Sequence, residues 1–105
     1  MNIKILYFDG CPSWRYAYEQ LRAALKEEGL TIPVELVRVQ SDLEAAVARF
    51  QGSPSLQYND QDFWLEERST YSMNCRVYQT PEGLKGWPTV SMLRQKLQEI
   101  TKEKE

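Results

Sequence analysis

Two cysteines and the absence of histidine bound the chemistry open to this 105-residue chain. Without an imidazole there is no Ser-His-Asp or Cys-His relay and no His-x-x-x-His zinc site. Two thiols are too few to close an all-thiolate zinc site within one chain. Acid–base work therefore falls to Asp, Glu, Lys, Tyr or a thiol. The residue types point to thiol chemistry or to none and leave no zinc site; no cofactor is expected. The most informative stretch is Asp9-Gly10-Cys11-Pro12-Ser13-Trp14. Pro12 suits the first position of a helix, which makes Cys11 its N-cap. A thiol there sits over the free amides of the first turn, and these with the helix dipole favour the thiolate. Arg15 adds to that field and Asp9 opposes it. The thiolate is the nucleophilic form, so Cys11 is the nucleophile candidate. The plain alternative is a small residue tolerated at a turn.

Charge and hydropathy remove other classes. Thirteen Lys and Arg against fifteen Asp and Glu give a net charge of −2 and a pI near 5.2, with no basic block. A nucleic-acid binder usually shows a basic excess. No apolar run approaches the ~18 residues of a membrane span. Ile3 to Phe8 is too short and too strand-like for the core of a signal peptide. The expected compartment is the cytoplasm, where thiols stay reduced unless they are catalytic.

The elements that must position Cys11 follow from periodicity. Ile3–Phe8 is a nearly continuous apolar run ending at Asp9-Gly10, which reads as a buried strand entering a tight turn. Trp14, Ala17, Tyr18, Leu21, Ala24 and Leu25 then recur at helical spacing, with Gly29 as the stop and Pro33 beyond it. Val34–Val39 is a second strand. Ser41-Asp42-Leu43-Glu44 matches a capping box, so a second helix begins there, with Leu43, Ala46, Val47 and Phe50 on its apolar side and Gly52 ending it. Ser55–Tyr58 alternates as a short strand, and Asn59-Asp60 is a turn. Cys75–Thr80 alternates as a last strand. Val90, Leu93, Leu97 and Ile100 mark a final helix capped by Thr89, with Thr101–Glu105 fraying. The order is β-α-β-α-β-β-α. Its simplest packing is one α/β domain over residues 1–105, with a four-stranded mixed sheet and helices on both faces.

That order resembles the thioredoxin fold. Phe8-Asp9-Gly10-Cys11-Pro12, Gly52-Ser53-Pro54-Ser55, Cys75-Arg76-Val77-Tyr78 and Thr80-Pro81-Glu82-Gly83 together look like small bacterial stand-alone thioredoxin-like proteins. The resemblance implies that Cys11 is the active thiol. It also implies a cis peptide bond before Pro54, which would shape a cleft beside Cys11 with Ser53, Pro12 and Trp14 around it. The expected partner is then a small thiol or a protein disulfide. The chain departs from the dithiol pattern at Trp14, which stands where a second Cys would. That leaves a monothiol reading for Cys11. A binding module that keeps the cleft, and soft-metal capture by the Cys11 thiolate, stay open beside it.

Cys75 is the one other thiol. In the expected sheet its strand starts at the end opposite Cys11, and about five residues of strand span roughly 17 Å. A disulfide needs Cα atoms within about 7 Å. Strand geometry thus argues for Cys75 as a small buried hydrophobe. The long segment 60–74 is the route by which Cys75 would instead fold back over the site. Its Phe63, Trp64, Leu65 and Tyr71 read either as a satellite core over the sheet edge or as a lid or partner surface. An exposed edge strand would also let two copies pair as a homodimer.

Overall fold

The computed structural model describes residues 2–65 and 73–102. Its first half is strand β1 (Ile3–Tyr7), helix α1 (Trp14–Glu27), strand β2 (Val34–Arg38), helix α2 (Asp42–Ala48) and strand β3 (Ser55–Tyr58). Strand β4 (Gln61–Asp62), β5 (Tyr78–Thr80), β6 (Gly83–Lys85) and helix α3 (Val90–Lys102) complete it. The main sheet is mixed and four-stranded, in the order β2-β1-β3-β4. β1 runs parallel to β2, with Ile3 beside Val34, and antiparallel to β3, with Ile5 beside Leu56.

β1 is apolar almost throughout because it is covered on both faces. Ile3 and Ile5 join Leu21, Ala24, Leu25, Leu56, Leu93 and Leu97 in a core under α1 and α3. Leu6 faces the other way, with Val39, Ala45 and Phe50 under α2. α1 buries Ala17, Leu21, Ala24 and Leu25, one stripe at helical spacing. It ends at Gly29, whose φ of +67° suits glycine. Arg94 of α3 reaches back to Glu28 at 2.7 Å. Its hydrogen bond, with a second from Gln98, holds the Glu28 carboxyl below the ordinary range.

α2 opens at its expected cap, where the Ser41 hydroxyl accepts the Glu44 amide at 3.1 Å. A Ser41→Ala change is expected to cost about 1 kcal/mol, read as a lowered urea midpoint at constant slope. The helix is shorter than its periodicity predicts. It closes at Arg49, which takes the left-handed conformation, and this turn carries Phe50 into the core beyond the helix.

Two further expectations are corrected. The fourth place in the sheet belongs to Gln61–Asp62, not to residues 75–80. The segment predicted as the last strand instead contributes Tyr78–Thr80 to a separate hairpin with Gly83–Lys85. The hairpin turns at Thr80, whose hydroxyl accepts the Glu82 amide and donates to the Gly83 carbonyl. Phe63 is buried in the α1/α3 core with Trp64 packed against it, so this part of the insertion is satellite core. Leu65 is exposed, and Tyr71 lies outside the described residues.

Candidate active site

Cys11 lies in the turn between β1 and α1, with its amide donating to the Phe8 carbonyl at 3.2 Å. It is not the N-cap. Ser13 holds that position, in a helical conformation and without a side-chain capping bond. The chain enters the helix through a tighter turn, in which the Arg15 amide bonds the Pro12 carbonyl, so the first regular turn forms later than proline placement suggests. Arg15, Tyr16 and Ala17 spend their amides on the Pro12 and Ser13 carbonyls. Trp14 is half-buried and stacks on Tyr7, with ring centroids 4.4 Å apart. Asp9 forms an ion pair with Arg38, which offsets the negative charge that would disfavour a thiolate.

Ser53 and Pro54 come from the turn before β3, and the peptide bond between them is cis. Both are fully buried. The Ser53 hydroxyl accepts the Phe8 amide at 3.3 Å, tying this turn to the end of β1. The Ser53 carbonyl oxygen lies 3.5 Å from Cys11 Sγ. It would accept a hydrogen bond from a Cys11 thiol and would repel a thiolate.

Cys75 is not at the far end of the sheet. It forms a disulfide with Cys11, across a Cα–Cα distance of 5.9 Å and a sequence separation of 64. Strand length does not keep them apart, because residue 75 is not in the sheet that carries the length argument. The segment lies instead against the Ser53 turn as a single parallel bridge. The Ser53 amide donates to the Asn74 carbonyl at 2.8 Å, and the Arg76 amide donates to the Ser53 carbonyl at 3.0 Å. Nor is Cys75 a buried hydrophobe. It is exposed, whereas Cys11 is 5% exposed. Paired in this way, neither sulfur is a thiolate ligand for a soft metal.

Two side chains and one glycine hold the strap formed by residues 74–78 in place. Arg76 donates to Asp62 at 2.8 Å and to the Trp64 carbonyl at 2.6 Å, with its guanidinium 4.7 Å from the Tyr78 ring centre. The ion pair is almost wholly buried. The Tyr78 hydroxyl donates to the Pro54 carbonyl at 2.6 Å. Gly52 has a φ of +106°, and a Cβ there would lie 2.9 Å from Arg76 Cβ. Gly52→Ala is therefore expected to destabilise by about 1–3 kcal/mol through backbone strain, with the clash added, measured by urea unfolding.

No family model matches the chain, and no curated protein or solved structure matches it. The structure brings Cys11, Ser53, Pro54 and Cys75 together, with Pro12 in the Cys11 turn and Trp14 opening α1. Asp62, Arg76 and Tyr78 were missed as site residues. One signal existed: alternation along 75–80 puts Arg76 and Tyr78 on one face and Cys75 on the other. No helix among the described residues is long and apolar enough to cross a membrane.

Proposed function

We propose that this is a thiol–disulfide redox protein of thioredoxin-like architecture, with Cys11 and Cys75 as its two-electron couple. One observation carries the reading. The only two cysteines of the chain, 64 residues apart, meet at the end of β1, beside the cis Ser53–Pro54 turn. The sheet order β2-β1-β3-β4 supports the architecture, with Cys11 just after β1 and Pro54 just before β3. Cys11 has moved from the monothiol expected beside Trp14 to one half of a pair whose other half comes from the strap. Its partner is a thiol or disulfide of a small molecule or a protein.

The experiment is a redox titration of the folded protein in glutathione buffers. A potential above about −300 mV places the pair within reach of cellular thiols and supports the reading. A lower potential, or a disulfide that stays closed under reducing buffer, makes the bond a structural staple and defeats it. The cleft-binding alternative is less favoured, because the chain's own residues 74–76 occupy the Ser53 backbone.

A further inference from the structure

Building on the redox reading, we infer that Cys75, and not Cys11, is the sulfur through which the pair exchanges with outside thiols and disulfides. Exchange proceeds by thiolate attack on one sulfur while the other leaves, so access and leaving-group quality decide which is attacked. Access sets the direction here. Cys75 is exposed on an exposed stretch with Asn74 beside it, whereas Cys11 is buried. The Ser53 carbonyl, 3.5 Å from Cys11 Sγ, also presents lone pairs to anything anionic approaching that sulfur. As leaving group, Cys11 departs next to the start of α1. The same carbonyl works against Cys11 as a thiolate, so the assignment rests on access.

The steps balance in each direction. A thiolate RS⁻ attacks Cys75 Sγ, the S–S bond to Cys11 breaks, and Cys11 takes the electron pair as thiolate. A second RS⁻ attacks the outer sulfur of that mixed disulfide, giving RSSR and the Cys75 thiolate, and the two thiolates take up two protons. In reverse, a Cys75 thiolate attacks a disulfide RSSR and releases RS⁻. The Cys11 thiolate then attacks Cys75 Sγ, releases the second RS⁻ and re-forms the internal bond. Arg76 and Tyr78 act as positioning residues, because their ties to Asp62 and Pro54 keep Cys75 beside Cys11 between the two steps.

The test treats the oxidised wild-type protein with reduced glutathione, quenches it with acid and maps the adduct by peptide mass spectrometry. Adduct on Cys75 is expected in about tenfold excess over Cys11, a barrier difference of ~1.4 kcal/mol. Adduct mainly on Cys11, or equally on both, overturns the assignment and leaves the redox reading standing. No adduct and no reduction overturns both. A second arm compares Cys11→Ser and Cys75→Ser in reaction with glutathione disulfide, each checked for the native fold by circular dichroism. The Cys11→Ser protein, which keeps Cys75, is expected to form its mixed disulfide about tenfold faster. Equal or reversed rates count against Cys75.

Discussion

Removing the Cys11–Cys75 cross-link, by reduction or by Cys75→Ala, is expected to lower the unfolding free energy by about 4 kcal/mol. The bond closes a loop 64 residues long, and the entropy denied to the unfolded chain by such a loop is of that size. For a domain of this length the loss corresponds to a drop in Tm of roughly 15–30 °C, measured by thermal unfolding with and without reductant. The effect has a counterpart in redox terms. If the bond stabilises the fold by about 4 kcal/mol, the fold stabilises the bond by as much. The potential of the pair then falls by ~90 mV relative to the unfolded chain, since 30 mV is about 1.4 kcal/mol for two electrons. A thermal shift much smaller than this would mean that the unfolded chain is already compact around these residues.

Arg76→Ala is expected to cost about 3–5 kcal/mol, because it removes the cation from a carboxylate buried with it. The side chains of Arg76 and Asp62 are 3% and 1% exposed, so water cannot replace the guanidinium at Asp62. The same change deletes the donor to the Trp64 carbonyl. A double change, Arg76→Met with Asp62→Leu, removes both charges and is expected to recover a large part of the loss. Urea unfolding of the three variants checks this. A single-variant cost near zero would show that water or another donor reaches Asp62 once the guanidinium is gone. The expected cost is a large share of the roughly 5–15 kcal/mol that a small domain possesses. Arg76→Ala and removal of the disulfide act on the same strap and are not expected to add independently.

Much of the frame was legible in the sequence. β1 announced itself as an apolar run, α1 and α3 as stripes at helical spacing, and α2 by its Ser41 cap. The fourth strand was not, because Gln61–Asp62 is two polar residues long and carries no period. The strap was legible in one respect and misleading in another. Alternation from Cys75 to Thr80 correctly separates buried Arg76, Tyr78 and Thr80 from exposed Cys75, Val77 and Gln79. Alternation says which way side chains face, however, and nothing about which backbone lies alongside. The neighbour of residue 75 is set by one bridge to Ser53 and by a buried arginine whose partner lies 14 residues earlier. Neither leaves a periodic trace. Strand length would separate residues 11 and 75 only if residue 75 lay in the main sheet, and the single-residue bridge needs no such place.

The covalent ring closed at residues 11 and 75 encloses α1, β2, α2, β3 and β4, and leaves β1 on one tail and the hairpin with α3 on the other. A chain drawn apart by its two ends would transmit the load through the sulfur–sulfur bond, and β1 would be stripped from between β2 and β3 as its tail extends. Only the two tails would pay out, and roughly 200 Å of contour stays hidden inside the ring at about 3.4 Å per residue. Reduction would release that length. Oxidation therefore sets how far this chain can be stretched, or threaded from one end through a narrow pore, before its centre has to open.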